Sequence, residues 1–263
     1  MNEILIAVLI VAAMGLIIGL ILAVASVIMA VPKDEKAEAV LEVLPGANCG
    51  ACGYSGCSGY AKALAHGEAQ PGLCSPGGEE CVKAIAKVLG VEAGAIERKT
   101  AVVKCDGTAE NSPLKMEYQG ITTCAAAAAL HGVTKNCSYG CIGFGDCVNV
   151  CEYDAIAVED NVARINPAKC KSCGMCVKTC PKHLISIVPL KKQAVVMCSN
   201  CDKGAAATAA CRTACIACMK CAKTCPVGAI KIENLHAVVN PQLCTGCGEC
   251  AKVCPKNCIG MMQ

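Results

Sequence analysis

A chain of 263 residues has room for one to three small domains. It carries 27 cysteines, a single Phe and no Trp, so large side chains cannot supply most of the core. The odd cysteine count and the repeated C-x-x-C spacings suit bound metal in a reducing compartment better than disulfides. A net charge of +3, with no aromatic-and-basic patch, gives no reason to expect a nucleic-acid partner.

Residues 1–31 read as a transmembrane helix. Ile4 to Val31 has no charged residue and one clearly polar side chain, Ser26. As a helix it would measure roughly 42 Å, against roughly 30 Å of hydrocarbon. A cleaved signal peptide would need a basic start and an apolar stretch of about 7–15 residues; this chain begins Met1-Asn2-Glu3 and its apolar run is longer. Lys33 and Lys36 follow the span and nothing basic precedes it, which places the rest of the chain in the cytoplasm, at the inner membrane. Gly15, Gly19 and Ala23 put small residues on one face, where another helix could approach. One helix cannot form a channel, so any transport pathway would lie in other membrane subunits.

Residues 32–98 read as a small cysteine domain. Pro32 to Glu42 is a charged, Ala-rich connector, expected to be helical. PGANCGACGYSGC then supplies Cys49, Cys52 and Cys57, with Cys74 to complete four. The glycines allow the backbone to turn tightly round a ligand set. Four thiolates could hold zinc, but zinc sites usually show two matched C-x-x-C pairs, so a [4Fe–4S] cluster is the better reading. Glu79 to Leu89 reads as a helix carrying Cys81, which is expected to be a small buried hydrophobe.

The remainder is a repeat. A shift of 74 residues carries Cys124, Cys137, Cys141, Cys147, Cys151, Cys170, Cys173, Cys176 and Cys180 onto Cys198, Cys211, Cys215, Cys221, Cys225, Cys244, Cys247, Cys250 and Cys254. It also superposes Asn166-Pro167 on Asn240-Pro241 and Pro181 on Pro255. Two modules follow, 99–190 and 191–263. The pattern C-x2-C-x2-C-x3-C-P appears at Cys170–Pro181, Cys215–Pro226 and Cys244–Pro255. In that pattern the fourth cysteine ligates the neighbouring cluster. Ala155–Val158 and Ala229–Ile232 suit the short strands of such a fold. The fold class expected is therefore α+β: a membrane helix, a small helical iron–sulfur domain and two tandem ferredoxin-like modules.

The spacing assigns Cys137, Cys141, Cys147 and Cys180 to one cluster and Cys151, Cys170, Cys173 and Cys176 to its neighbour. In the second module it assigns Cys215, Cys218, Cys221 and Cys254 to one, and Cys225, Cys244, Cys247 and Cys250 to the other. With the small domain this makes five [4Fe–4S] clusters. Cys218 falls opposite Phe144, and Cys211, opposite Cys137, is the spare. Cys105, Cys124, Cys198 and Cys211 form the expected sixth set, with free buried thiols as the alternative. About 24 irons per chain would support a sixth cluster and about 20 would exclude it.

Cys211-x3-Cys215-x2-Cys218 also has the spacing of radical-SAM enzymes, but there is no room for their barrel. No C-x-x-C-H occurs, which excludes covalent haem. His66, His131, His183 and His236 stand apart and read as surface or capping residues. No glycine fingerprint for NAD or flavin follows a strand, and no catalytic residue is expected.

The uncharged N-terminal helix, PGANCGACGYSGC with its distant Cys74, and the ferredoxin modules, in that order, resemble the B subunit of the Rnf electron-transport complex. The second module is similar to the longer form found in anaerobes. A departure from the ferredoxin pattern is Glu152, where a proline would follow Cys151. The resemblance implies a protein that accepts electrons from soluble reduced ferredoxin and relays them towards membrane subunits. Those subunits would couple transfer to NAD with Na+ or H+ translocation. Lys169, Lys171, Lys178, Lys182, Lys191 and Lys192 around the first module, and Lys220, Lys223, Lys252 and Lys256 around the second, could steer an acidic ferredoxin. An ordinary solvated surface is the alternative for these lysines. A ferredoxin-like subunit of another membrane dehydrogenase or hydrogenase would share the modules but not the Cys49–Cys74 segment. A zinc-binding membrane scaffold would lack the ferredoxin spacing.

Overall fold

The computed structural model describes residues 2–28, 34–93, 97–130 and 134–262. Val31, Pro32, Lys33 and His131 lie outside them. Helix α1, Asn2–Ile28, contains a stretch, Ile4–Ser26, long and apolar enough to cross a membrane. Its side chains are exposed from Ile4 through Val24, with Leu16 76% accessible. An apolar surface of this kind needs lipid or other helices around it.

The small domain packs three helices. Asp34 caps α2, Glu35–Val43, its carboxylate accepting from the Lys36 and Ala37 amides at 3.1 and 3.2 Å. The connector is more than a linker, because Val40 is fully buried against α3, Cys57–Ala65, and α4, Gly78–Leu89. Helix α4 ends on Gly90, whose φ of 69° gives the left-handed cap that glycine adopts without cost. Tyr60 is buried in the middle. Its hydroxyl donates to the Gln70 carbonyl at 2.6 Å and accepts from the Leu73 amide at 3.3 Å, tying down the segment that carries Cys74. Burial pushes the Tyr60 phenol up to about 12.

The first module runs β1 Lys99–Val103, α5 Cys124–Ala129, α6 Asp146–Asn149, β2 Ile156–Glu159, β3 Val162–Ile165, α7 Met175–Thr179 and β4 Ile185–Pro189. Strands β2 and β3 form a hairpin, and β1 pairs antiparallel with β4, closing the module's start onto its end. The second module runs β5 Gln193–Val196, α8 Gly204–Ala210, α9 Lys220–Thr224, β6 Ile230–Glu233, β7 His236–Val239, α10 Glu249–Lys252 and β8 Ile259–Met262. It repeats the plan, β6 with β7 and β5 with β8. Both hairpins turn through two residues of positive φ, Asp160-Asn161 (48° and 62°) and Asn234-Leu235 (47° and 62°). This turn geometry matches the right-handed twist of the strands.

The 74-residue shift holds for β2, β3, β4 and their counterparts, but not for the opening strands. Ala101 in β1 donates its amide to Cys170 Sγ at 3.4 Å, and Ala194 in β5 does the same to Cys244 Sγ at 3.5 Å. Those alanines are 93 residues apart. The first module is longer after its opening strand: Cys137 follows Cys105 by 32 positions, and Cys211 follows Cys198 by 13. The 19 extra residues carry Cys124.

Candidate metal centres

The cysteines of the modules gather round four small cavities with almost wholly apolar walls. Cys151, Cys170, Cys173 and Cys176 line one, with Ala155, Ile156 and Tyr153. Cys124, Cys141, Cys147 and Cys180 line a second, with Ile142, Val158 and Leu184. Cys105, Cys137, Cys198 and Cys211 line a third. Cys215, Cys218, Cys221, Cys254 and Cys258 line the fourth. Cys225, Cys244, Cys247 and Cys250 complete the second module. Cys244 and Cys247 raise the Cys250 thiol after burial has done so, and the Ala229 amide points at Cys225 Sγ from 3.3 Å.

This grouping exchanges two residues relative to the spacing. The structure sets Cys124, not Cys137, beside Cys141, Cys147 and Cys180, and sets Cys137, not Cys124, beside Cys105, Cys198 and Cys211. The reason lies in the long insertion. Thr123 caps α5, and the Asp146 carboxylate takes the Cys124 and Ala125 amides at 2.8 and 3.0 Å, holding Cys124 one residue from Cys147 on α6. Phe144, opposite Cys218, leaves that place without a thiol of its own, and Cys124 fills it. The match of Cys124 with Cys198 under the 74-residue shift does not reflect equivalent places in the fold. Cys105 is the counterpart of Cys198. Each follows the opening strand of its module. Each sulfur accepts the amide two residues on, Gly107 at 3.4 Å and Asn200 at 3.5 Å. Each also accepts the amide of the cysteine four residues beyond its module's other bridging thiol, Cys141 at 3.3 Å and Cys215 at 3.2 Å. A signal for this was present in the sequence, in Ala101-Val102-Val103-Lys104-Cys105 against Ala194-Val195-Val196-Met197-Cys198.

The third cavity is therefore pseudo-symmetric, taking Cys105 and Cys137 from one module and Cys198 and Cys211 from the other. Contacts between the modules enclose it. Ser112 Oγ donates to the Ala210 carbonyl at 2.9 Å and accepts the Cys137 amide at 3.2 Å. Ser199 Oγ donates to the Lys104 carbonyl at 3.1 Å, and Thr213 Oγ1 to the Asp106 carbonyl at 3.3 Å. Asn200 Nδ2 reaches Cys137 Sγ at 3.5 Å.

In the small domain Cys74 is buried and Cys57 opens α3, its amide held by Asn48 Oδ1 at 2.8 Å. Cys52 and Cys57 pack against the same core as Cys74. Cys81 is buried beside Cys74 and donates to the Val43 carbonyl at 3.4 Å. Burial raises the Tyr153 phenol, with Cys173, Glu152, Cys49 and Cys74 adding to it, and Lys178 Nζ donates to the Cys49 carbonyl at 3.0 Å. The small domain thus faces the Cys173 end of the first module.

Among the described residues, no three His, Cys, Asp or Glu side chains converge as they would on a single ion. Four thiols standing back around a small apolar cavity, with amides aimed at the sulfurs, form a donor set that fits a [4Fe–4S] cubane. Burial pushes Cys147 up to about 12, with Cys141, Cys124 and Cys180 adding to it. Burial likewise raises Cys176, Cys198 and Cys221 to about 11. Thiols so placed ionise only against a bound cation. Cys258 is the fifth thiol of the fourth cavity and takes the place of Leu184 in the first module. It hydrogen-bonds Cys215, lowering that thiol to about 5, and its own sulfur is 3.6 Å from Cys254 Sγ. Cys201 lies outside the four cavities, its sulfur 4.0 Å from His236 Nδ1. His66 pairs at the surface with Asp34 at 3.7 Å, and His183 sits in a turn with a φ of 51°.

Residues 44–76 match a family model described as a putative Fe-S cluster, residues 162–185 a 4Fe-4S binding domain, and residues 214–258 a 4Fe-4S dicluster domain. The chain is 43% identical over 98% of its length, and 78% of the relative's, to the B subunit of the Na(+)-translocating ferredoxin:NAD(+) oxidoreductase complex of Acetobacterium woodii. It is 35% identical to the B subunit of the ion-translocating oxidoreductase complex of Methanosarcina acetivorans, over 88% of each chain. It is 38% identical to the B subunit of the proton-translocating ferredoxin:NAD(+) oxidoreductase complex of Clostridium ljungdahlii, over 92% of this chain and 86% of the other.

Proposed function

The chain belongs to the family of B subunits of ion-translocating oxidoreductase complexes, and within such a complex we propose that it is a relay with six cluster sites in file. It is an electron-transfer subunit with 4Fe-4S domains, associated with the membrane and with the other subunits of its complex.

The six proposed ligand sets are Cys49, Cys52, Cys57 and Cys74; then Cys151, Cys170, Cys173 and Cys176; then Cys124, Cys141, Cys147 and Cys180. Cys105, Cys137, Cys198 and Cys211 bridge to Cys215, Cys218, Cys221 and Cys254, and Cys225, Cys244, Cys247 and Cys250 end the row. A bound [4Fe–4S] cluster supplies one-electron chemistry at each. The chain's own part is to fix the thiolates, exclude water with apolar walls and aim N–H groups at the sulfurs, which set potentials. The order follows electrostatic neighbours and hydrogen bonds. Cys49 acts on Cys173, Cys176 acts on Cys147, and the Cys141 and Cys215 amides both reach the bridging set. We read 32–98, 99–190 and 191–263 as the domains that carry this row.

The observation that carries the proposal is the bridging cavity, to which each module gives two thiols. Without a centre there, the modules would be two separate relays. The small domain follows the membrane helix directly in the chain, so the row leads away from the membrane, on the side that Lys36 marks as cytoplasmic. At its far end Cys218 and Cys247 are exposed. There, between Lys220, Lys223 and Lys256, soluble ferredoxin would deliver electrons. NAD, flavin and ion translocation belong on this reading to other subunits.

The test is iron analysis of the full chain, purified anaerobically in detergent. About 24 irons per chain are expected, falling to about 20 in Cys198→Ser and in Cys211→Ser, with electron uptake from reduced ferredoxin impaired in both. A wild-type content of about 20, unchanged in either variant, would overturn the six-site reading.

A further inference from the structure

Lys135 is 1% exposed, the most deeply buried charged side chain among the described residues. Its ammonium donates to two carbonyls, Gly107 and Asn161, each at 2.7 Å. Among the described residues no carboxylate forms an ion pair with it. A buried cation without a carboxylate counter-charge is costly enough to demand an explanation. Burial pushes the Lys135 ammonium below its ordinary value, and the groups that oppose this and hold its charge are the sulfurs of Cys105, Cys141, Cys137 and Cys211. Three of these belong to the bridging set and one to its first-module neighbour.

The surroundings fix it there. Lys135 forms an isolated bridge with Leu114, and its flanking residues bond the same segment, the Lys115 amide to the Thr134 carbonyl at 2.8 Å and the Asn136 amide to the Pro113 carbonyl at 3.0 Å. Gly107 lies two residues beyond Cys105. The Asn161 carbonyl can lie where it does because Gly143 has no Cβ; one built there would stand 2.7 Å from that oxygen. The arrangement is one-sided. Two residues before Cys211 the second module has Ala209, which is exposed.

We propose that Lys135 is a potential-setting residue, its buried ammonium favouring the reduced form of the bridging site and of the Cys141 site. This rests on the six-site reading. Four thiolates round a cubane make an anionic centre, and reduction adds one more negative charge. A fixed positive charge in a dry setting stabilises the more negative state and so raises the potential. The consequence is a step in the row. The Cys141 site holds an electron more firmly than its counterpart at Cys215, and the bridging site more firmly than it would without the lysine, which biases electrons towards the first module and the membrane.

The test is an EPR-monitored redox titration of the full chain loaded with iron and sulfide, in the wild type, Lys135→Met, Lys135→Gln and Lys135→Arg. Cys198→Ser identifies the bridging component as the signal it removes. In the neutral variants that component should shift to lower potential by tenfold or more in its reduction equilibrium, about 59 mV for one electron. Iron content should hold, and Lys135→Arg should stay near the wild type. Neutral variants that keep their iron and leave every component in place would overturn the proposal. Loss of iron from both neutral variants but not from Lys135→Arg would support the requirement for charge. Loss from all three would overturn it in favour of a packing role. The iron content of Cys198→Ser reports separately on the six-site reading, which can stand while unmoved potentials remove this role for Lys135.

Discussion

The two modules share a plan but not a ligand scheme. The second uses a contiguous motif, with Cys215, Cys218 and Cys221 in one loop and helix. The first has Phe144 where Cys218 stands, and recruits Cys124 from an insertion that Asp146 fastens to α6. On the proposed scheme, a cavity that lacks a local cysteine takes its fourth thiol from a distant segment. The pseudo-symmetric Cys105/Cys137 and Cys198/Cys211 pairs line one cavity although the two pairs differ in spacing.

The sharpest way to break this comparison is to remove the recruited thiol. Cys124→Ser should cost about four irons per chain, and adding Phe144→Cys should restore them by giving the first module the second module's own ligand. No loss in the single variant would return that place to Cys137. Next in size is the effect of Cys137→Ser. It should abolish the bridging signal in EPR while the Cys147 site keeps its spectrum, whereas loss of the Cys147 signal would favour assignment by spacing.

The iron-free chain offers a comparison through pH. Burial holds Cys147 at about 12 and Cys176, Cys198 and Cys221 at about 11, against an ordinary thiol value of 9.0. Folded values above unfolded ones favour the fold while both states are protonated, and that contribution is lost as pH rises from about 9 through 12. Thermal unfolding of the apoprotein should therefore weaken over that window, and the iron-loaded protein, its sulfurs already ionised, should show no such decline. The smallest effect concerns the hairpins. Leu235 holds a φ of 62° where the first module has Asn161, a conformation that Asn tolerates better. Leu235→Asn should stabilise the second module by about 1 kcal/mol, seen as a higher unfolding temperature.

Much of this was legible in the residues. The apolar N-terminal helix, the small domain's helix near Glu79–Leu89 and the hairpin strands followed from apolar runs and spacing, and the repeat from its cysteines. The connector's burial was not, because Val40 finds its partners only once α3 and α4 are folded. The exchange of Cys124 and Cys137 was not legible either. A single shift of 74 residues made all nine cysteines coincide, and so hid a second offset of 93 between Ala101-Val102-Val103 and Ala194-Val195-Val196. Lys135 gave no sign, since a lysine two residues from a cysteine is ordinary until the fold closes over it.

The most direct test of the central claim is the anomalous scattering of the iron-loaded protein, recorded at the iron edge in a crystal of the full chain. Six separate iron peaks are expected, one of them between the modules, enclosed by Cys105, Cys137, Cys198 and Cys211. Five peaks, with no iron density between those four sulfurs, would contradict the account and leave the modules as two unconnected relays.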